Sequence, residues 1–347
     1  MDPVAALERI AYLLERASAP RYRVGAFRNA AAVLAEIGPE EVARRNATGR
    51  LRDLPGIGGT TEAVVREALA GDKPGYLAKL EDELGDGAGT EAEEAAADAL
   101  RAALRGDCHT HSDWSDGGSS IEVMARAARA LGHEYMVLTD HSPRLTVARG
   151  LTAERLRRQL DVVAELNEEL AAEGPFRVLT GIEVDILEDG GLDQEPELLE
   201  RLDVVVASVH SKLAMEPEGM TRRMVRAVLD PNVDILGHCT GRLVAGRGRP
   251  QSRFDAPAVF AACAEAGTAV EINCRPERLD PPRHLLRLAV AAGCRLAIDT
   301  DAHAPGQLEW QGNGTRRGAE CGVTADSVVN AMPPDELLAW TTAGGRA

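Results

Sequence analysis

The sequence has 347 residues, of which 44% are hydrophobic and 27% are charged. These proportions are ordinary for a soluble globular protein, and the length suffices for one large and one small domain. No apolar run approaches the roughly 18 residues that a membrane-spanning helix needs. The first residues lack the basic start and apolar core of a signal peptide, so we expect a cytoplasmic protein without a membrane partner.

The formal net charge of −16 argues against a general polyanion-binding surface. Part of this charge is concentrated in residues 81–98 and in the acidic side chains described below, so a local site for nucleic acid stays possible. The six cysteines show no C-x-x-C spacing. We therefore expect free and mostly buried thiols.

Residues 1–83 predict a small all-α domain. Apolar residues recur at helical spacing over positions 4–14, over 24–37 and again over 64–69. Residues 84–103 begin with glycines and continue with glutamates and alanines. That composition is typical of an acidic linker that leads into a solvated helix.

Residues 104–347 predict a larger domain of the α/β class. Short apolar runs alternate with helical stretches and recur at intervals of about 30 residues, the size of a βαβ unit. There are seven of them, at 104–108, 135–139, 177–182, 204–209, 233–236, 269–272 and 296–298. This alternation predicts a parallel sheet that is buried on both faces. Seven units favour a closed or nearly closed barrel, with a doubly wound open sheet as the alternative.

Six of the eight histidines lie at the carboxyl ends of these runs, together with acidic residues. The residues concerned are Asp107, His109, His111, Asp116, His141, Glu183, Asp185, His210, His238, Asp301 and His303. In parallel β/α folds the loops at this end build the functional site. Alternate positions of a strand share a face, so His109 and His111 can both point inward. His133 and His284 lack such neighbours, and we expect both on the surface.

Imidazole and carboxylate groups without thiolates suit zinc, manganese or iron, and the sequence does not separate these metals. The alternative is a set of buried histidines whose hydrogen bonds are made with neighbouring carboxylates. A lone histidine usually has that structural role. The convergence of six histidines with acidic companions favours a metal site.

Five motifs carry a resemblance to a known family: HTHSDWSDG at 109–117, TDHS at 139–142, GIEVDI at 181–186, SVHS at 208–211 and TDAH at 300–303. They resemble the motifs of PHP (polymerase and histidinol phosphatase) phosphoesterases. In particular, they look like the PHP domain at the C-terminus of bacterial family X DNA polymerases, and the resemblance covers residues 104–347. It implies a distorted seven-stranded parallel (β/α)7 barrel, similar to a TIM barrel, with three divalent metal ions.

The resemblance also implies how the ligands divide among the ions. The implied ligands are His109, His111, Glu183 and Asp301 for the first ion, Glu183, His210 and His238 for the second, and Asp116, His141 and His303 for the third. Glu183 would thus be a bridging ligand. One departure is Cys239, which follows His238 where the family usually has proline. This thiol can be a spectator, an oxidation-sensitive neighbour or an extra ligand.

Hydroxide that the metals activate is the expected nucleophile for hydrolysis of a phosphate ester. Basic side chains near the rim are expected to bind the remaining phosphate charge, and the candidates are Lys212, Arg242 and Arg275. Asp107 and Asp140 are expected to orient ligand histidines. Glu271 and Asn273 end the one run that provides no ligand, and we expect them either to face the substrate or to fill the barrel.

The N-terminal segment resembles another part of the same polymerases. FRNAA at 27–31 and LPGIG at 54–58 are similar to their small helical lyase-type domain with a helix-hairpin-helix. In such hairpins the glycines let the backbone approach a DNA phosphate, so DNA contacts are implied at Gly56, Ile57 and Gly58. An ordinary tight turn or a surface for protein contact is the alternative. Too few residues separate the hairpin from His109 for a polymerase palm, and we do not expect a polymerase.

The predicted function is metal-dependent hydrolysis of phosphate esters in DNA repair, at 3′ ends or abasic sites, of the exonuclease, endonuclease or phosphatase type. A small-molecule phosphomonoesterase of the histidinol-phosphatase type is the enzymatic alternative. A non-enzymatic DNA-binding scaffold with structural metals is a further alternative. The scaffold is disfavoured because a structural metal site has no need of an open three-metal rim.

Overall fold

The computed structural model describes residues 1–17, 19–83, 91–245 and 248–342. The chain forms two compact units, Met1–Ala88 and Gly89–Ala347. The glycine-rich part of the expected linker, residues 84–90, lies outside the described residues.

The first unit is all-α, as predicted. Its helices are α1 (Pro3–Arg16), α2 (Arg21–Ile37), α3 (Pro39–Ala47), α4 (Gly59–Leu69) and α5 (Gly75–Glu83), with a short 3₁₀ turn at Leu51–Asp53 before α4. The apolar stripes of these helices meet in one core, where Leu7, Ile10 and Leu34 are at most 1% exposed. Burial of such stripes provides most of the stability of short helices in proteins.

The second unit contains a seven-stranded parallel sheet in the order β1 to β7. The strands are β1 (Gly106–Thr110), β2 (Tyr135–Leu138), β3 (Arg177–Asp185), β4 (Val204–Ser208), β5 (Ile235–Leu236), β6 (Ala269–Asn273) and β7 (Leu296–Asp299). The amide of His111 donates to Ala302 O at 2.8 Å, and Thr110 forms a parallel bridge with Ala302. β1 therefore lies beside the segment that follows β7, and the barrel is nearly closed. The predicted barrel is confirmed, and the open-sheet alternative is wrong.

The observed strand ends differ from the predicted runs at two places that bear on the site. β1 begins at Gly106 rather than at residue 104, and a Cβ at position 106 would lie 2.4 Å from the Tyr135 ring, so the close packing there needs glycine. β3 continues to Asp185, because residues 181–185 pair with β4. Glu183 and Asp185 are thus held by strand hydrogen bonds and not by a loop.

Helices surround the barrel: α6 (Glu91–Ala103), α7 (Ile121–Ala130), α8 (Ala153–Ala171), α9 (Pro196–Leu199), α10 (Pro217–Val228), α11 (Ala256–Ala266), α12 (Arg283–Ala291), α13 (Gln311–Glu320) and α14 (Pro334–Thr341). The side chains of Ser120, Thr152 and Asp255 cap three of them by accepting a first-turn amide. Among the residues that the structure describes, no helix combines the length and apolarity that crossing a membrane requires.

The strands are buried on both faces, as alternation with helices predicts. One alternate set, including Val205, Leu236 and Ile298, packs with the helices in the largest core cluster. The other set packs in a separate cluster that also includes Trp340 of α14. The barrel is therefore a filled core rather than a pore, and its polar residues collect at the carboxyl end. All six cysteines are free and buried, as expected.

His133 corrects one expectation. Its exposed fraction is 5%, so it is not a surface residue, whereas His284 is exposed as expected. Burial, followed by the nearby charge of Arg101, lowers the pKa of His133 to about 4. A protonated imidazole would lose its hydration there, which is why the neutral form is favoured.

We expect His133 to make the stability of the protein depend on pH. Its pKa is about 4 in the folded chain against 6.5 ordinarily, so only the unfolded state takes up a proton between these values. The stability that is present above pH 6.5 is therefore lost as the pH falls towards 4, with about 2 kcal/mol lost between pH 7.5 and pH 5. In urea unfolding, the free energy of unfolding should therefore fall less for His133→Asn than for the wild type over this pH range. Equal losses in the two proteins would contradict the assignment.

Candidate metal centre

The structure brings all nine predicted metal ligands together at the carboxyl end of the barrel. Glu183 lies in β3, His109 lies in β1, and the other seven lie in the segments that follow β1, β2, β4, β5 and β7: His111, Asp116, His141, His210, His238, Asp301 and His303. Eight of the nine side chains are 12% exposed or less. The Asp116 side chain, at 33%, is the most exposed of them.

The carboxylate of Glu183 lies at the centre of the group. Its Oε1 is 2.9 Å from His238 Nε2 and 3.2 Å from His210 Nε2. Its Oε2 is 2.7 Å from His141 Nδ1 and 3.4 Å from His109 Nε2. Imidazoles from four different strand ends therefore face a single fully buried carboxylate.

Asp301 and Asp116 extend the group on one side. His111 Nε2 lies 3.3 Å from Asp301 Oδ1, and His303 Nδ1 lies 3.5 Å from the same oxygen. His303 Nε2 and His141 Nε2 lie 3.2 Å and 3.5 Å from Asp116 Oδ1. His141 and His303 thus each face two carboxylates, one through each ring nitrogen.

The donor atoms fit bound cations. Among the described residues, both oxygens of Glu183 and both ring nitrogens of His111 and of His210 are buried without a hydrogen-bond partner. Buried polar groups without a partner are costly, and ions among these donors would satisfy them. The nitrogen–oxygen distances are also close to the roughly 3.3 Å that separates two ligands of a tetrahedral ion with bonds of about 2.0–2.1 Å.

Within the part of the chain that the structure describes, the donors form three groups whose atoms lie within 4.8 Å of one another. The groups are His111, Asp116, His141 and His303; His109, His111 and Asp301; and His141, Glu183 and His210. They differ in detail from the division that the resemblance implies. His111 and His141 each belong to two groups, and His238 enters through its contact with Glu183.

Glu271, in the middle of β6, orients one ligand ring. Its Oε1 lies 2.6 Å from His109 Nδ1, so the other ring nitrogen of His109 faces Glu183. Its Oε2 accepts the amide of His238 at 2.5 Å. A carboxylate on the second nitrogen of a ligand histidine fixes the tautomer and raises the basicity of the ring. The sequence placed Glu271 near the site but did not predict this role.

Asp107 and Asp140 were the residues expected to orient ligand histidines, and the structure gives them other partners. Asp107 accepts the amide of His109 at 3.1 Å and the hydroxyl of Thr300 at 2.5 Å. Asp140 accepts the amide of Ser112 at 2.9 Å together with nearby hydroxyl groups. Both carboxylates therefore hold main-chain amides and hydroxyl groups beside the ligands.

Comparisons with known proteins agree with this geometry. A family model described as "PHP domain" matches residues 107–275. A probable phosphatase of Thermoanaerobacter sp. (strain X514) is 30% identical over 236 residues, which are 65% of this chain and 89% of that protein. The chain belongs to the PHP family. As a member of this phosphoesterase family, it is a hydrolase that acts on phosphoric ester bonds.

A polymerase relative and one similar solved structure differ in length from this chain. DNA polymerase/3′-5′ exonuclease PolX of Bacillus subtilis (strain 168) is 39% identical over 237 residues, or 68% of this chain, but the chain spans only 41% of the length of PolX. The crystal structure of histidinol phosphate phosphatase from Lactococcus lactis is similar with a TM-score of 0.45 and 18% identity. That likeness covers 64% of this chain and 95% of the solved chain.

The acidic members of the PHP centre are held ionised. Burial raises the pKa of Glu183, but the surrounding imidazoles, His210 first, bring it well below the ordinary value. Burial likewise raises the pKa of Asp301, and Arg275 and then His109 bring it well below the ordinary value. The centre therefore presents negative oxygen donors beside imidazoles, a combination that attracts divalent cations.

The three predicted phosphate-binding residues have different surroundings. Arg275 Nη1 lies 3.1 Å from His303 Nδ1 and 3.3 Å from Asp301 Oδ1, so the structure brings this residue to the centre. Lys212 is exposed in the segment after β4. Arg242 donates to the carbonyl oxygens of Arg278, at 3.0 Å, and of Leu279, so its guanidinium holds a loop.

Arg278 is a rim residue that the sequence did not single out. Its Nε lies 3.3 Å from Asp301 Oδ2, on the opposite oxygen from Arg275. The available signal was its position three residues after Arg275 in the segment that follows β6. That signal is weak, because a charged residue in such a loop is usually solvated.

Cys239 is buried next to the ligand His238, but among the described residues its sulfur belongs to none of the three donor groups. Its sulfur lies 3.9 Å from Asp280 Oδ1, and burial raises the pKa of the thiol well above its ordinary value. Thiolate is the form that binds metals. These surroundings support the interpretation of Cys239 as a spectator.

The glycine hairpin of the first unit immediately precedes α4. Gly56 has a φ of +77°, in the left-handed region that favours glycine. Ile57 is 7% exposed and belongs to the core, whereas Gly56 and Gly58 are exposed. Gly58 is the N-cap residue of α4 and, as a glycine, provides no side-chain cap for the first-turn amides.

We expect Glu183→Gln to lose bound metal and activity together. The substitution keeps the shape of the side chain but removes the charge that the surrounding imidazoles face. Metal analysis should show at least one ion fewer per chain, and ester hydrolysis should fall by at least about 100-fold. Glu188→Gln is the matched control, since Glu188 is exposed and follows the same strand. Unchanged metal content in Glu183→Gln would contradict the central position of this residue.

Proposed function

We propose that this PHP protein is a metal-dependent phosphoesterase that acts on DNA, at 3′ ends or abasic sites. The proposal rests on the nine nitrogen and oxygen donors at the mouth of the barrel. We propose that three divalent ions, zinc, manganese or iron, bind there to His109, His111, Asp116, His141, Glu183, His210, His238, Asp301 and His303. Residues 1–83 would be the DNA-binding helix-hairpin-helix domain, 84–103 a linker and helix, and 104–347 the phosphoesterase barrel.

When bound, the ions supply Lewis acidity and lower the pKa of coordinated water. The side chains of the protein bind and orient. Glu183 lies between two groups of imidazoles, which supports its assignment as the bridging ligand. Among the candidates for the phosphate group, Arg275 has the best support, because its guanidinium lies 3.1 Å from His303 Nδ1. Lys212 is exposed, and Arg242 donates to carbonyl oxygens of a loop. Arg275 also has bonded donors, since its Nε and Nη2 donate to Glu277, so its nearness to the donor groups is what favours it.

The DNA part of the proposal is supported by the hairpin at Gly56–Ile57–Gly58. Two exposed glycines let the backbone approach a phosphate, and the first-turn amides of α4, which have no cap from the side chain of residue 58, favour negative charge. The amide of Gly58 itself donates to Thr61 Oγ1 at 2.9 Å. Charge does not oppose this contact, because residues 1–83 contain 12 arginines and lysines against 13 aspartates and glutamates. The net charge of −16 therefore comes almost entirely from the rest of the chain. The PolX relative is named as a DNA polymerase and 3′-5′ exonuclease.

A small-molecule phosphomonoesterase is the second candidate. The observation that favours it is the size of several relatives named as probable phosphatases. The Thermoanaerobacter relatives match this chain over 89% of their own length. A PHP barrel of that size thus has relatives whose names give phosphatase activity without mention of DNA.

We expect Gly58→Asp to separate the two candidates. A Cβ at Gly58 meets no atom within 4 Å, so the variant should fold. The added carboxylate would repel a DNA phosphate at the hairpin turn. The KM for end-labelled DNA with 3′-phosphate or abasic ends should rise about tenfold, as for the loss of one phosphate contact. Hydrolysis of histidinol phosphate should not change.

Ala172→Asp is the matched control. Ala172 is exposed at the C-terminus of α8, before β3, so the same charge is added at the end of the barrel opposite to the centre. If Gly58→Asp and Ala172→Asp process DNA equally well, the hairpin has no part in DNA binding. If metal-loaded protein hydrolyses histidinol phosphate but neither DNA substrate, the second candidate is correct.

A further inference from the structure

The least buried candidate ligand, Asp116, is carried by a loop and not by a strand. Its side chain is 33% exposed, against 12% or less for the other eight ligands. The loop comprises residues 112–118, between β1 and α7. A ligand on a loop is held less firmly than one on a strand unless other groups fix the loop.

Two arginines hold this loop in place. Arg149 lies in the segment between β2 and α8, and Arg155 lies in α8. Arg149 Nε donates to Ser115 O at 2.9 Å, and Arg149 Nη2 donates to Asp113 O at 2.7 Å. Arg155 Nη2 donates to Trp114 O. The carbonyl groups of three consecutive residues directly before Asp116 thus accept from two guanidinium groups.

Arg155 also holds the main chain that carries Arg149. Arg155 Nη1 donates to Arg149 O at 2.5 Å and to Gly150 O at 3.2 Å. A Cβ at Gly150 would lie 1.8 Å from Ser142 O, so only glycine fits at this point of the segment. The guanidinium groups are therefore presented to the loop by a main chain that is itself tightly packed.

The other side of the loop is fixed by different groups. The buried carboxylate of Asp140 accepts the hydroxyl of Ser112 at 2.6 Å and the hydroxyl of Ser115. The amide of Gly118 donates to His303 O at 2.7 Å. The loop therefore has a buried anchor and an outer anchor, and the arginines are the outer one.

The choice of carbonyl acceptors has an electrostatic consequence. A guanidinium that bonds to a ligand carboxylate offsets the charge that attracts a cation, as Arg275 and Arg278 do at Asp301, with distances of 3.3 Å each. Arg149 and Arg155 donate to neutral carbonyl oxygens instead. They can hold the loop in place while the charge of Asp116 stays available to an ion.

We propose that Arg149 and Arg155 form a carbonyl clamp, which positions Asp116 for a divalent cation in the group with His141 and His303. The clamp determines the affinity of this third ion, which is the most weakly bound of the three because its carboxylate ligand is the most exposed. Both arginines are positioning residues that act through the main chain of the loop. The proposal rests on the three-ion assignment of the proposed function.

The test is a metal titration of the full-length chain. Metal-free protein is titrated with Mn²⁺ by calorimetry, and metal content is measured after dialysis. Arg149→Ala and Arg155→Ala should each lower the affinity for one equivalent at least tenfold and leave the other two within twofold. Asp116→Asn should abolish the same equivalent. Arg149→Lys should give an intermediate loss, because a single ammonium cannot reproduce the forked contact with two carbonyl groups.

Arg129→Ala is the matched control. Arg129 Nη2 donates to Glu173 O at 2.5 Å, so this variant also loses a bond between a guanidinium and a carbonyl, but on the outer face of α7. It should bind all three equivalents like the wild type. Thermal unfolding of the metal-free variants shows whether each remains folded.

Three outcomes overturn the clamp. In the first, Asp116→Asn loses the third Mn²⁺ equivalent but Arg149→Ala and Arg155→Ala bind it with unchanged affinity. In the second, folded Arg149→Lys loses affinity for all three equivalents equally. In the third, the wild type binds fewer than three ions. The proposed function fails separately. If the variants change the affinity for the third equivalent as expected but the wild type hydrolyses neither DNA nor histidinol phosphate, the clamp is supported and the DNA assignment is wrong.

Discussion

The fully buried carboxylate of Glu183 is the constraint on which the rest of the centre depends. An ionised carboxylate in the interior of a protein loses its hydration, at a cost that only nearby positive charge or hydrogen-bond donors can offset. Here four imidazoles, one in β1 and three that follow β2, β4 and β5, face its two oxygens. The strand order, the closure of the barrel beside β7 and the Glu271 contact with His109 all serve to keep those rings at this distance.

Several arginines around the centre hold loops in place. Arg242, Arg149, Arg155 and Arg317 donate mainly to main-chain carbonyl groups of the segments that surround the donors. A guanidinium suits this role because its planar fork can bond to two carbonyl groups at once, which an ammonium cannot do with the same geometry. The sequence contains only three lysines, Lys73, Lys79 and Lys212. Its positively charged side chains are therefore nearly all arginines, which can hold a loop without neutralising a ligand.

The two compact units contribute different chemistry to the proposed function. The barrel concentrates nitrogen and oxygen donors at one end of a filled apolar core, a position that parallel β/α folds favour because strand ends converge there. The helical unit has an almost balanced charge and an exposed glycine turn before α4. In this proposal the barrel hydrolyses the ester. The hairpin can contribute to the selection of a polymeric rather than a small substrate.

The sequence by itself determined the barrel and the group of histidines and acidic residues at its mouth, because strand spacing and the position of each histidine after an apolar run are local patterns. The resemblance to the PHP family then selected nine of these side chains as ligands. Tertiary structure decided which atoms face each other. The orienting role of Glu271, the placement of Arg278 and the burial of His133 depend on contacts between residues distant in sequence, which no local pattern specifies. Arg242 shows the same limit: its position after a strand indicated phosphate binding, but only the folded loop shows that its donors are occupied by carbonyl groups.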